Sequence, residues 1–322
     1  MNKKILLLAS FFGLTPLLAS AHVKWFAEPV GYVRPYEITD VPVTIWIISI
    51  FAIVLLGVYL DKKLKVPSWI LSHLTRLAPV ALSLASVGFG LAFLIFSYNG
   101  FIFAPNLPAE GTLGTALIAL QALAGVMFLF GIHERVGALL LIVLFGLGVK
   151  EFGSHEMIDT LEMLGFAVYA LIIGRPRWHL VETKWIQPYV HKLRPYGLPL
   201  LRVGTGLNLM VLAFTEKIFA PELTQDFLAH HPWNFMQALG FESFTDYWFA
   251  FSAGMGEFIF GLFFLLGLVT RLTTLALAGF LLTTLVLLGP IELIGHLPHF
   301  SIAIALLFLG AGSRFTLLKH RT

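Results

Sequence analysis

Two glutamates stand out because of where they fall in the sequence. Glu257 lies in the middle of the apolar stretch 246–267, and Glu216 closes the apolar stretch 197–216. If these stretches cross a bilayer, each ionised side chain costs about 2.5 kcal/mol or more, so both residues are candidates for function. We interpret Glu257 and Glu216 as candidate catalytic carboxylates that accept protons or contact a quinone. The alternative for Glu257 is a structural hydrogen bond to a neighbouring helix.

Lys217 follows Glu216 directly and Asn208 lies eight positions before it, so both could line the same polar interior. They are the candidate residues for binding a quinone cofactor or a partner. The alternative for Lys217 is that its long side chain extends to the outer membrane surface and pairs locally with Glu216.

A third group combines a carboxylate with two imidazoles. Glu292, His296 and His299 fall within two helical turns at the predicted outer surface, although Pro298 interrupts them. Residues at this spacing can share a divalent metal or relay a proton near neutral pH. The group is therefore the candidate metal site. A proton or quinone-headgroup role and a purely structural role at the interface are the alternatives.

The first half of the chain has an acidic group of its own. Asp159 and Glu162 fall on roughly one face at the start of an apolar stretch, and Lys150 lies upstream. Pairing with Lys150 and an entry funnel for cations are the two interpretations.

Composition determines what positions these residues. Hydrophobic residues make up 58% of the chain and charged residues 12%, with a mean hydropathy of +0.86. Soluble domains carry about 25% charged residues. The apolar stretches do not alternate with polar residues, as strands of a membrane barrel would. The predicted fold is therefore an all-α polytopic transmembrane bundle.

The lack of cysteine limits the chemistry of the chain. It excludes thiol nucleophiles, iron–sulfur clusters and CxxCH haem attachment. The protein can then be at most an oxidoreductase subunit without a redox-cofactor ligand set of its own. Nucleic acid is not an expected partner, because the basic residues sit in short loops.

Nine apolar stretches predict about nine spans, near 43–60, 77–98, 112–131, 136–152, 157–174, 197–216, 246–267, 272–289 and 299–312. Residues 1–21 have the pattern of a secretory signal peptide, with Lys3 and Lys4, an apolar run and an Ala-Ser-Ala cleavage site. Lysine and arginine concentrate in the loops after the odd-numbered spans. The positive-inside rule then predicts an inner-membrane protein with its mature N-terminus outside and its C-terminus in the cytoplasm.

Several residues recur at a fixed offset of 136 positions. Arg135 recurs as Arg271 and Gly174 as Gly310, and no gap is needed across three helices. The pattern predicts two tandem four-helix repeats preceded by one extra helix. The repeats would be parallel and related by an axis along the membrane normal.

The second repeat resembles the DoxX family of four-helix membrane proteins, which includes DoxD-like subunits. The resemblance rests on Leu201-Arg202-Val203-Gly204, on Glu216-Lys217-Ile218-Phe219-Ala220-Pro221, on Glu257 in a glycine-rich span, and on Gly267-Leu268-Val269-Thr270-Arg271-Leu272. It implies a bacterial inner-membrane protein, and relatives include the membrane subunit of a thiosulfate:quinone oxidoreductase. The duplication and the leading helix depart from the family pattern.

These observations divide the chain into six parts. They are the signal peptide 1–21, an outer segment with the first helix and inner loop at 22–75, a degenerate DoxX-like repeat at 76–176, a basic inner loop at 177–195, a DoxX-like repeat at 196–315 and an inner tail at 316–322. The functional prediction is a membrane subunit of a quinone-linked redox system, with the bilayer and a soluble or membrane redox subunit as partners. The alternatives are a transporter of a small solute, proton or metal, and a scaffold without turnover.

Overall fold

The computed structural model of the protein describes residues 31–289 and 291–318, with the side chains of 291, 292 and 294 excepted. The predicted signal peptide 1–21 and the end of the inner tail lie outside these residues. Ten helices of ten residues or more occur in the described part of the chain. We number them α1 Val41–Lys63, α2 Ser68–Tyr98, α3 Gly111–Phe130, α4 Glu134–Phe152, α5 Leu161–Ile173, α6 Arg194–Ala213, α7 Pro221–His230, α8 Asp246–Leu266, α9 Thr270–Leu288 and α10 Ile291–Leu309.

Shorter helical elements precede α5 and extend α6. A four-residue helix, Ser154–Met157, and a 3₁₀ turn, Ile158–Thr160, precede α5. A π-turn, Phe214–Ile218, extends α6. Glycine ends α3 and α8 because Gly131 and Gly267 adopt left-handed backbone angles, with φ of 63° and 67°.

The prediction of an all-helical membrane bundle is confirmed. Six segments of the described chain are long and apolar enough to cross a bilayer. They are Val41–Lys63, Ser68–Tyr98, Gly111–Phe130, Gln187–Ile218, Asp246–Leu266 and Thr270–Leu288. The apolar part of α10 is shorter, and α5 has 13 residues. The number of nine spans stays a prediction.

The helices pack as two four-helix units, which also contact each other. In unit 1, α2 packs on α3, α3 on α4 and α4 on α5. In unit 2, α6 packs on α8, α8 on α9 and α9 on α10. The first helix of each unit packs on the last helix of the other, α2 on α10 and α6 on α5. One hydrophobic core therefore runs through both units.

Small residues make these helix contacts close. A Cβ on Gly206 would lie 2.6 Å from the carbonyl oxygen of Gly261, so α6 and α8 touch through their backbones. A Cβ on Gly165 would lie 3.2 Å from the Cα of Gly204, where α5 meets α6. At the reciprocal contact, the Ser301 hydroxyl occupies the space that a Cβ on Gly88 would need.

Arginines gather at one end of the bundle, which we call the arginine end: Arg135, Arg175, Arg202 and Arg271. Arg135 donates hydrogen bonds to the carbonyls of Leu171 and Ile173 at the end of α5. Arg271 donates to the carbonyls of Leu307 and Phe308 at the end of α10. The guanidinium of Arg202 is fully buried and donates to the carbonyls of Phe264, Leu265, Ala311, Arg314 and Phe315. These bonds satisfy carbonyls that helix ends leave without partners.

The leading helix α1 stands outside the two units and packs on α8. The Trp46 indole donates to the Ser252 hydroxyl at 3.0 Å, and Asp61 accepts the backbone N–H of Val269 at 2.7 Å. Ahead of α1, the Tyr36 hydroxyl donates to the Tyr247 carbonyl at 2.9 Å. These contacts tie residues 36–61 to α8 and to the turn that follows it.

Candidate functional site

A buried lysine lies between two carboxylates at the end opposite the arginine end. Lys217 Nζ is 2.7 Å from Glu257 Oε2 and 4.0 Å from Glu216 Oε2. The Lys217 side chain is 15% exposed, that of Glu257 20% and that of Glu216 2%. We call these three residues the lysine cluster. It brings together both candidate catalytic carboxylates and one of the two candidate cofactor-binding residues.

The local backbone explains how the lysine reaches α8. The π-turn widens the end of α6, and such turns often occur at functional sites. Gly254 lies one helical turn before Glu257, and a Cβ there would be 2.9 Å from the Cβ of Lys217. The glycine therefore leaves room for the lysine stem to lie against α8 and reach Glu257.

Helix α7 covers the π-turn. The Thr224 hydroxyl donates to the Glu216 carbonyl oxygen at 3.2 Å. Leu223, Phe227 and Leu228 form a small apolar cluster with Ala250 of α8. The segment inserted between α6 and α8 thus packs on the lysine cluster and reduces its access to water.

A second polar group joins the two units. His299 Nε2 of α10 is 3.2 Å from Glu162 Oε2 of α5, and both side chains are at most 4% exposed. The Glu162 backbone N–H donates to Asn208 Oδ1 of α6 at 3.4 Å. We call Glu162, Asn208 and His299 the inter-unit cluster. It connects α5 of unit 1 with two helices of unit 2.

Three further polar residues, His296, Asp159 and Thr215, lie near this cluster. The rings of His296 and His299 meet edge to face, with centroids 5.5 Å apart. The Thr215 hydroxyl donates to Asp159 Oδ1 at 3.3 Å. Because Thr215 precedes Glu216 in the π-turn, the inter-unit cluster and the lysine cluster approach each other along α6.

Residues 197–290 match the family model described as DoxX. The chain carries a DoxX domain. No curated protein and no solved structure matches the chain. The resemblance read from the sequence is therefore confirmed for the segment that runs from α6 to the end of α9. The lysine cluster and Asn208 lie inside the DoxX domain, whereas Glu162 and His299 lie outside it.

Two expectations about individual residues need correction. Lys217 does not extend to the surface, because it pairs with Glu257 inside the protein. The oxygen of Asn208 accepts the backbone N–H of Glu162, and a shared interior of Asn208 with Glu257 stays a prediction. His296 and His299 lie inside the bundle, 7% and 5% exposed, and not at its surface.

The metal prediction is not decided by this geometry. Among the described residues, no group of three histidine, aspartate or glutamate side chains is arranged to hold a metal ion. The side chain of Glu292 lies outside the described residues, so a metal at Glu292, His296 and His299 stays a prediction.

The sequence reasoning missed the roles of two residues. Lys150 is exposed, and the expected partner Glu162 instead faces His299. Asp159 contacts Thr215 of the DoxX domain. The signal available for both residues was the one that marks Glu257, an acidic residue within an apolar stretch. No feature of the sequence indicated that their partners belong to unit 2.

Gln121 stands in unit 1 where Glu257 stands in the DoxX domain, 136 positions earlier. Its amide nitrogen donates to the Phe101 carbonyl at 2.9 Å and to the Ser97 hydroxyl at 3.1 Å. Its oxygen accepts the Phe103 backbone N–H at 2.8 Å. A neutral amide thus stabilises the turn after α2, and only the DoxX domain has a charged cluster at this position.

Proposed function

We propose that this DoxX protein is a membrane subunit of a quinone-linked redox system and that the lysine cluster is its proton-exchanging site. The observation that carries the proposal is the 2.7 Å contact between Lys217 and Glu257, with Glu216 at 4.0 Å. A lysine and two carboxylates inside a bilayer are costly to maintain. Their concentration in one repeat supports a functional role beyond helix packing.

The charges of the cluster support proton exchange. The cluster combines two carboxylates, which can accept protons, with one ammonium, which can donate one. Glu257 is the proposed proton acceptor, because it is the more exposed carboxylate. Glu216 keeps the ammonium in place when Glu257 is protonated.

The donor set also fits a quinone as substrate. Quinone reduction consumes electrons and protons, and the electrons would come from a partner subunit because the chain has no cysteine and no haem attachment motif. The Lys217 ammonium can donate a hydrogen bond to a carbonyl oxygen, and the two carboxylates can hold protons beside it. Asn208 belongs to the inter-unit cluster, so its proposed part is to position α6.

The test is purification in mild detergent followed by mass spectrometry of bound quinone and copurifying proteins. Quinone should be retained by the wild type and by Glu242→Gln, a change of an exposed carboxylate in the segment between α7 and α8. It should be lost in Lys217→Met. The absence of quinone from wild type prepared from quinone-containing membranes, or its retention in Lys217→Met, would refute the proposal.

A transporter of a small solute, proton or metal is the second candidate. The inter-unit cluster supports it, because Glu162 and His299 meet where the two units join. Uptake into proteoliposomes that fails in Glu257→Gln would favour this function, and unchanged uptake would count against it. A scaffold would tolerate neutral substitution of every buried ionisable residue.

We further propose that units 1 and 2 are tandem repeats in an inner membrane, with the N-terminus outside and the arginine end in the cytoplasm. The contacts of Arg135 with α5 and of Arg271 with α10 support the repeat. Reporter fusions at the loop between α5 and α6 test the orientation.

A further inference from the structure

The segment of residues 174–193, which we call the linker segment, runs across the arginine end from α5 to α6. Hydrogen bonds of its backbone attach it to unit 1. The Leu180 N–H donates to the Gly131 carbonyl at 3.0 Å, and the His133 N–H donates to the Val181 carbonyl at 2.8 Å. The Ser83 hydroxyl donates to the Arg177 carbonyl at 2.8 Å. The linker segment is therefore fixed against unit 1.

Its side chains divide into two sets. Thr183, Ile186 and Val190 are buried against the bundle. Large apolar side chains point the other way, and Tyr189 is 80% and Trp185 65% exposed. The exposed apolar set consists of Trp178, Leu180, Val181, Trp185, Tyr189 and Leu193. Exposed apolar clusters of this kind mark surfaces that bind a partner or a membrane.

Trp178 adds a second indication. Its φ of 58° lies in the left-handed region, which bulky residues rarely adopt. The neighbouring Gly131 permits this turn, because a Cβ there would lie 2.8 Å from the Trp178 carbonyl oxygen. The indole is 54% exposed, so this strained turn places an aromatic ring at the surface of the described structure. Such strain is found where a residue serves a function.

The charge of the segment indicates the kind of partner. Between residues 174 and 194 the chain has five basic residues and one acidic residue, Glu182. Four of the basic side chains are exposed: Arg177, Lys184, Lys192 and Arg194. The fifth, Arg175, donates to the Phe128 carbonyl and belongs to the bundle. The exposed surface therefore combines aromatic rings with positive charge.

We propose that the linker segment is a binding surface for anionic phospholipid headgroups. Both of its ends leave from membrane helices, so the exposed rings lie at the boundary of the bilayer, where tryptophan and tyrosine are favoured. Clusters of four to eight basic residues beside a membrane helix bind anionic lipids. The segment lies flat on the bundle, with its apolar residues directed into the lipid boundary and its basic residues directed to the headgroups.

The first test is a lipid titration of the purified protein in mild detergent. Thermal unfolding is followed while short-chain phosphatidylglycerol or phosphatidylcholine is added. Phosphatidylglycerol should raise the unfolding temperature at low concentration, and phosphatidylcholine should not. Each basic residue near an anionic surface is worth about fivefold in affinity, so Lys184→Gln/Lys192→Gln/Arg194→Gln should raise the half-maximal concentration roughly a hundredfold.

The matched control neutralises three lysines at and just after the end of α1, Lys62, Lys63 and Lys65, which are also exposed. This variant should respond to phosphatidylglycerol like the wild type. An equal loss in the control, or an unchanged response in the linker variant, would overturn the proposal. Added salt should weaken the wild-type response, because exposed charges are screened.

A second measurement separates a lipid surface from a protein partner. In nanodiscs, lipids with a quencher near the headgroup should quench tryptophan fluorescence more strongly in the wild type than in Trp178→Phe/Trp185→Phe. If the two proteins are quenched equally, the rings do not lie in the lipid boundary and the proposal fails. Binding of a soluble redox subunit to this surface, blocked by the same substitutions, would also contradict it.

Discussion

Removal of charges from the lysine cluster should change stability in a definite order. At an effective dielectric constant of about 20, Lys217 attracts Glu257 by about 6 kcal/mol across 2.7 Å and Glu216 by about 4 kcal/mol across 4.0 Å. Desolvation of the charges offsets much of this attraction. The two carboxylates therefore contribute unequally, and the lysine is the residue on which both depend.

Loss of one member of a buried ion pair costs about 3–5 kcal/mol. Glu257→Gln should destabilise the protein by about 3 kcal/mol, near the lower value, because Lys217 keeps Glu216 as a partner. Lys217→Met should destabilise the protein by about 5 kcal/mol, near the upper value, because both carboxylates lose their contact with the lysine. A triple variant, Glu216→Gln/Lys217→Met/Glu257→Gln, removes every charge and should recover most of the lost stability.

The assay is reversible unfolding of the purified protein by SDS in mixed micelles, followed by far-ultraviolet circular dichroism. Glu242→Gln, an exposed change, should leave the transition unchanged. The reasoning would be refuted if the triple variant were less stable than Lys217→Met, or if Glu257→Gln were the more damaging single change. A stable triple variant that no longer retains quinone would separate the role in binding from the role in folding.

Three further predictions concern residues outside the lysine cluster. Gly206→Ala should destabilise the protein in the same unfolding assay, because its Cβ would meet the α8 backbone at 2.6 Å, whereas Gly256→Ala meets nothing within 4 Å and should be neutral. Arg202→Met should cost at least about 3 kcal/mol, because several buried carbonyls lose a charged donor. The carboxyl pKa of Asp40 is held below its usual value chiefly by the hydrogen bond from Arg34. The stabilisation of residues 31–40 by this bond should therefore be complete above the usual carboxyl pKa and be lost as the pH falls through the lowered value, seen as a lower protection factor in hydrogen exchange.

Each of these predictions has a result that would contradict it. Equal stability of Gly206→Ala and Gly256→Ala would mean that α6 and α8 can separate without cost. A neutral Arg202→Met would show that water satisfies the carbonyls at the arginine end. The protection factor of residues 31–40 in Asp40→Asn should be low at every pH, and a wild-type pH profile of protection in that variant would exclude the carboxyl as its cause.

The sequence was sufficient to predict the helices, because long apolar runs have few alternatives in a membrane. Their ends were predicted less well. The stretch predicted at 77–98 begins at Ser68 in the structure, because the first turns of α2 contain His73 and Arg76 and do not read as apolar. The stretch predicted from 157 begins as α5 only at Leu161, after Gly153 turns the chain with a φ of 87°.

The sequence was sufficient to predict which residues belong to the site, but not which of them contact each other. Glu257 and Lys217 were both chosen, yet their contact depends on the π-turn, and a π-turn has no reliable signature in one sequence. Glu162 and His299 belong to different units and are 137 positions apart. Only the packing of the units brings them to 3.2 Å, so no local spacing could have paired them.

The crossed contacts of α2 with α10 and of α5 with α6 have a consequence for biosynthesis. During insertion of the nascent chain, the side of α2 that carries Gly88 stays uncovered until α10 has been translated. Packing of unit 1 therefore finishes only after α10 has been synthesised. A shorter polypeptide with one such unit would have to cover the same surfaces by association with another copy of itself. The presence of both units in one polypeptide fixes their stoichiometry and removes the concentration dependence of that encounter.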